Sequence, residues 1–128
     1  NIAGNGSDEI IEVNTSLWEI TNRINTGKGP YNIDISADGK FLVATLKSDA
    51  KTLVWELDKK NPSIISNNST VSHGVVISPD SKYAFVTVEG VGGDPGLVDV
   101  IDLEKAKVVS SVNIGKQAGG IAFWKIEE

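Results

Sequence analysis

At 128 residues the chain has the length of one ordinary domain, and 40% hydrophobic with 23% charged residues marks it as globular rather than disordered. No run approaches the ~20 apolar residues of a membrane-spanning helix, and the N-terminal Asn1–Gly6 lacks the basic start and apolar stretch of a signal peptide. A net charge of −5, with Lys28, Lys40, Lys47, Lys59 and Lys60 scattered rather than striped, argues against nucleic acid or an anionic membrane as partner.

There is no Met, so the chain reads as a mature, trimmed or excised product. There is no Cys either, which excludes disulfides, thiolate metal sites and a Cys nucleophile and leaves the redox compartment open.

Taken in order, the chain repeats. Glu9–Val13 reads as a strand, Ile20–Asn25 as a more polar one, and Val13–Thr21 recurs 88 residues later as Ile101–Val109. Tyr31–Thr45 is the clearest unit. An alternating run through Ile33 and Ile35 meets an Asp38-Gly39 turn and then a continuous apolar run, Phe41–Leu46. The unit returns 42 residues later as His73–Thr87, with Pro79-Asp80-Ser81 in the turn and Tyr83–Val88 as the second run. Gly accepts positive φ in such a turn and Asp bonds its own backbone. Val54–Asp58 then aligns with Val98–Asp102 at an offset of 44, the extra residues falling in the loop Glu89–Gly96. Asp58 and Asp102, like Asp38 and Asp80, recur, and recurrence points to turn chemistry rather than catalysis.

Polar strands follow near Ser63–Asn67 and over Val108–Ile114. The latter could be drawn as a helix, but Val108, Val109 and Val112 are β-branched and favour strand. Gly120–Lys125 repeats the opening strand once more, through Ile121 and Phe123.

Each unit therefore reads as four strands, A to D, and the fold class as all-β. A four-stranded unit cannot bury both faces alone, whereas stacked units can, which is the logic of a β-propeller. The twelve strands divide into strands B, C and D of a first blade over 1–29, a second blade over 30–71, a third over 72–117, and strand A of a closing blade over 118–128. Propellers close with about four to eight blades. The expectation is that the remaining blades of the same protein, or a second copy of the chain, complete the ring.

The segments Ser78–Thr87 (Ser-Pro-Asp-Ser-Lys-Tyr-Ala-Phe-Val-Thr), Ser36–Thr45 and Val100–Leu103 (Val-Ile-Asp-Leu) resemble the YVTN family of propellers. The resemblance covers nearly the whole chain, and departs from the family motif at its Asn, where Leu46 and Val88 stand. It implies a seven-bladed ring in full-length relatives, and an exported or cell-surface, extracytoplasmic location. Related propellers include lactonase-type hydrolases and haem- or quinone-dependent oxidoreductases. The WD40 pattern is set aside, since His73-Gly74 reverses its Gly-His and Trp55-Glu56 replaces its Trp-Asp.

In a propeller the start of strand A borders the central channel. His73, the only His, stands there, and its equivalents Tyr31 and Gly119 differ from it as channel-lining positions would. Glu89 and Lys47 sit at matching ends of strand B. These four, His73, Tyr31, Glu89 and Lys47, are the candidate rim-binding residues. Asp94, in the Gly-rich loop Gly90–Gly96, is the one carboxylate a Ca²⁺ ion would use there, but the 6–8 oxygens such an ion takes are not in evidence. No metal or cofactor is expected.

Trp18, Trp55 and Trp124 read as packing anchors, Trp18 the one nearest solvent. Gly27–Pro30 and Gly90–Gly96 lack the Lys-Ser/Thr of a phosphate loop. Asn5, Asn14, Asn67 and Asn68 each begin an Asn-x-Ser/Thr triplet. No Gly-x-Ser-x-Gly or Ser/His/Asp set is present. The sequence thus points to a non-catalytic binding or scaffold module that takes a protein or small ligand at the propeller face. The alternative is an enzyme with its site at the channel.

Overall fold

The computed structural model describes residues 1–127. Among them are eleven strands and no helix, arranged in three antiparallel sheets. The first sheet holds β1 (Ile2–Gly4), β2 (Glu9–Asn14) and β3 (Glu19–Asn25). The second holds β4 (Pro30–Ile35), β5 (Phe41–Leu46), β6 (Lys51–Glu56) and β7 (Ser63–Ser66). The third holds β8 (Val71–Ile77), β9 (Tyr83–Glu89), β10 (Leu97–Asp102) and β11 (Lys107–Asn113). Strands adjacent in sequence pair by hairpins throughout, as in consecutive propeller blades.

Burial follows position in the blade. All six residues of β5 are buried, because the strand is covered by a sheet on each side. The outermost strands β3 and β11 are almost wholly exposed. The cores lie between the sheets. Ile10, Leu42, Ala44, Leu46 and Leu53 fill the joint of the first and second blades. Phe41, Val43, Val54 and Ile65 meet Ala84, Val86, Val88, Leu97, Ile101 and Leu103 at the joint of the second and third.

A polar clasp ties the inner strands. Thr45 Oγ1, in β5, accepts the Asn32 N–H at 3.0 Å and donates to the His73 carbonyl of the next blade at 2.7 Å. Thr87 repeats this one blade on, accepting the Gly74 N–H at 2.8 Å and donating to the Gly119 carbonyl. A Cβ on Gly74 would lie 2.8 Å from that carbonyl and 2.9 Å from Thr87 Oγ1, so this copy of the clasp is drawn in around glycine where the other accommodates Asn32.

The turns between strands A and B are copies of one another. Ser36 Oγ donates to Asp38 Oδ1 (2.6 Å) and accepts the Phe41 N–H (2.9 Å), while Asp38 Oδ1 accepts the Lys40 N–H (3.0 Å). Ser78, Asp80, Lys82 and Tyr83 make the same three bonds, in the same order, at 2.6, 3.0 and 3.2 Å. The serine hydroxyls, with the backbone N–H groups, hold the Asp38 and Asp80 carboxyls below the usual carboxylate range. Ser81 takes the left-handed position (φ 60°) that Gly39 (φ 73°) fills in the other turn. Its hydroxyl accepts the Asp38 N–H from the neighbouring blade at 3.2 Å.

The register corrects one alignment. Leu57 N–H donates to the Lys40 carbonyl and Leu103 N–H to that of Lys82, so Leu57 and Leu103 are the equivalent pair, rather than Leu57 and Ile101. Asp102 therefore corresponds to Glu56, not to Asp58. The shared aspartates misplaced the strand, and the loop after β9 absorbs more length than the sequence match allowed. Asp102 bonds the Lys105 ammonium at 2.7 Å, which lowers its carboxyl's pKa and raises that of the Lys105 ammonium.

Residues 118–127, where Gly120–Lys125 was expected as a strand, form no ladder. A strand needs a hydrogen-bonding neighbour, and the second strand of a further blade is absent from the described residues. Trp55 is half-buried, with its Nε1 donating to the Lys59 carbonyl, but Trp18 (81% exposed) and Trp124 (87%) anchor nothing within the chain.

Candidate functional site

The four residues singled out at the strand ends form one continuous row. Antiparallel pairing sets the start of β4 beside the end of β5, with Pro30 opposite Leu46, and the start of β8 beside the end of β9, with Val71 opposite Glu89. In both blades the ladder then breaks, between Pro30 and Ile33 and between Ser72 and Val75. Such bulges re-aim side chains, and Tyr31 and His73 sit inside them.

Their rings meet across the blade joint at 4.6 Å between centroids, tilted by 60°. Lys47 Nζ lies 4.3 Å over the Tyr31 ring, a cation–π contact. At the other end, Glu89 Oε1 stands 3.4 Å from His73 Nε2. The order is thus ammonium, phenol, imidazole, carboxylate. Gly119 continues it on the far side of His73, where an added Cβ would lie 3.9 Å from His73 Cε1. The row is open to solvent: Tyr31 is 41% exposed.

The environment of His73 decides what it can do. Nδ1 is buried with no hydrogen-bond partner, while Nε2 faces a carboxylate. A lone pair on Nε2 would oppose the Glu89 oxygen, so Nε2 carries a proton, and the lone pair of the neutral ring is the one on buried Nδ1. The Nε2 proton is thus directed at Glu89.

Asp94 lies outside this row, in the loop beyond Glu89. Among the described residues no group of three or more His, Asp or Glu side chains is placed to hold a metal ion. Asn67 and Asn68 are committed elsewhere, since their side-chain amides donate to Asp99 at 3.0 and 2.8 Å.

A second recess, of about 400 Å³, opens on the opposite face between the A–B turns, with Asp38, Lys40, Asp80, Lys82 and Asp102 in its wall. Each of its three aspartates is already satisfied within its own turn, which leaves little to recognise a ligand.

Comparison with known proteins gives the architecture its context. No family model matches the chain, and no curated protein does. Solved structures do match. A hydrazine synthase structure from Kuenenia stuttgartiensis shares 25% identity at a TM-score of 0.80, over 88% of this chain and 33% of that one. A functionally unknown protein from Desulfotomaculum acetoxidans shares 22% at 0.79, over 94% and 38%. The WD40 repeats of RRP9 share 17% at 0.74, over 91% and 35%.

The chain is part of a β-propeller, about three blades of it. It spans about a third of the length of these structures. These neighbours differ in kind, a hydrazine synthase beside a set of WD40 repeats, so they carry the fold and leave the function to the site.

Proposed function

We propose that this propeller segment is a non-catalytic binding module that takes its ligand or partner across the Lys47–Tyr31–His73–Glu89 row. The observation that carries this reading is the contact of four unlike side chains across the blade joint: Lys47 Nζ over Tyr31, the Tyr31 and His73 rings, and Glu89 beside His73 Nε2. The row offers an ammonium at one end, a carboxylate at the other and aromatic surface between them. That pattern suits a ligand with separated charges of both signs, such as a peptide segment. The YVTN resemblance adds the proposal that the whole protein is exported or displayed at the cell surface, which fractionation of source cells tests.

NMR on the 128-residue chain tests the binding reading, because His73 is the only histidine and its ring signals are unambiguous. A dipeptide of one lysyl and one glutamyl residue is the probe. His73 and Tyr31 signals are expected to move on titration, and less so in Lys47→Ala and in Glu89→Gln. A silent rim overturns the reading.

One observation favours a second reading. A carboxylate beside an imidazole is the start of an acid–base couple, so the chain could be part of a propeller hydrolase or oxidoreductase. Lactone hydrolysis by the chain that is lost in His73→Ala would establish it.

A further inference from the structure

The two outer blade faces of this chain are chemically matched to each other. At the joint of the second and third blades, Asp99 in β10 is fully buried and accepts from Asn67 Nδ2 (3.0 Å), Asn68 N–H (2.9 Å), Asn68 Nδ2 (2.8 Å) and the Ser111 hydroxyl. Asn67 Oδ1 in turn accepts from Thr52 (2.8 Å) and Ser72 (2.7 Å).

The outward face of the third blade replaces three of the network's four residues on the second-blade side, Thr52, Asn67 and Ser72, by apolar ones, and the fourth, Asn68, by Gly115. Val98 stands for Thr52, since they pair with the clasp residues Thr87 and Thr45. Ala118 stands for Ser72, each preceding the carbonyl that its clasp bonds. Ile114 stands for Asn67, each donating its N–H to the residue before strand C, Gly96 and Ala50. Three polar groups have become apolar together, and the residue this face calls for opposite is apolar where Asp99 was acidic.

The first blade presents such a residue. Ile11 pairs with Arg23 just before the break between Glu12 and Val13, as Asp99 pairs with Ser111 just before the break between Val100 and Ile101. The same face exposes Ile20 (52%) and Trp18 (81%), where the third blade has Val108 and Ala106 packed against the second. Trp18 is held at φ 57°, in the left-handed region that is costly for a side chain of its size, on a hairpin tip that Asn14 fixes through the Ser16, Leu17 and Trp18 N–H groups. A preorganised, exposed Trp is the usual anchor of an interface. The edge of β1 that no described strand pairs completes the match: Ala118 and Ile121 would meet Gly4 and Ile2, as Pro30 and Ile33 meet Leu46 and Ala44.

We propose that the chain associates head to tail with a second copy of itself, the third blade of each against the first blade of the other. Ile114, Val98 and Ala118 of one copy close on Ile11 of its partner, and Trp18 seats where Ala106 seats within the chain. Two such joints are related by a two-fold axis and close the assembly.

Sedimentation of the 128-residue chain tests this, with a mass of twice 13.6 kDa expected. Ile11→Asp sets an unpaired carboxylate against Ile114 and is expected to raise the dimer Kd roughly 100-fold, with the far-UV CD spectrum unchanged. Adding Ile114→Asn, which rebuilds the Asn67–Asp99 pair at the new joint, recovers association. That recovery separates a lost interface from a lost fold. A folded wild-type monomer, a dimer indifferent to Ile11→Asp, or an open-ended polymer would each overturn the proposal.

Discussion

The two faces of this molecule treat the same repeat in opposite ways. On one face the A–B turns are copies: Ser36-Asp38-Lys40 and Ser78-Asp80-Lys82 make the same bonds, with Gly39 and Ser81 in the same left-handed position. On the other face the inner strands open on Tyr31, His73 and Gly119, which share a slot and no chemistry. Repetition there stops where the fold no longer needs it. The turn residues satisfy one another, whereas the rim leaves an ammonium, a carboxylate and aromatic surface facing outward, with Nδ1 unpartnered beneath. A repeat protein separates scaffold from site in this way, and substitutions on the two faces should differ in kind.

The largest effect belongs to the scaffold. Asp99→Ala removes the buried acceptor that Asn67, Asn68 and Ser111 share and leaves the part-buried Asn67 amide unpaired, so a loss of about 2–3 kcal/mol in urea unfolding is expected. Thr87→Val follows. It keeps the shape and deletes both clasp bonds, leaving the buried Gly74 N–H unpaired, at about 2 kcal/mol by the same measurement.

The turn carboxylates come next, and the pH dependence carries the sign. The Asp38, Asp80 and Asp102 carboxyls are lowered in the folded state. Their contribution is therefore complete above the unfolded carboxyl pKa of about 3.9 and is lost as pH falls through the lower folded values. Asp80→Asn is expected to lower stability at neutral pH, where that contribution is complete, to converge on wild type in acid, and so to flatten the acid limb of the profile.

Ser81→Gly is the smallest. Relief of the left-handed strain, about 1 kcal/mol, offsets the lost bond to the Asp38 N–H, and the urea midpoint should hardly move.

Much of the scaffold was legible in the sequence, because strand period and turn chemistry are local. Ile33 and Ile35 alternate, Phe41–Leu46 is continuously apolar, and Asp38-Gly39 spells a turn. Asp99 was not legible. Its structural equivalents are Leu53 and Ile11, so the repeat hides it, and its partners Asn67 and Asn68 lie more than thirty residues away. The strand around it was also misaligned by the resemblance of Asp58 to Asp102.

The rim was legible only residue by residue. Ends of paired strands pointed to Lys47, Tyr31, His73 and Glu89 singly. Their contact across the blade joint depends on two bulges that no residue pattern announces. Trp124, read as an anchor, is exposed, since the segment expected to carry it as a strand forms no ladder.

The central claim is that the varied rim recognises and the repeated residues hold. The most direct test measures both in the same pair of variants, His73→Ala and Thr87→Val, by urea unfolding and by titration with the lysyl–glutamyl dipeptide read at Tyr31. His73→Ala is predicted to keep the unfolding midpoint within about 0.5 kcal/mol and to lose the Tyr31 response. Thr87→Val is predicted to lower the midpoint and, while folded, to keep that response. A His73→Ala chain that unfolds early, or one whose Tyr31 still responds as in wild type, would contradict the account.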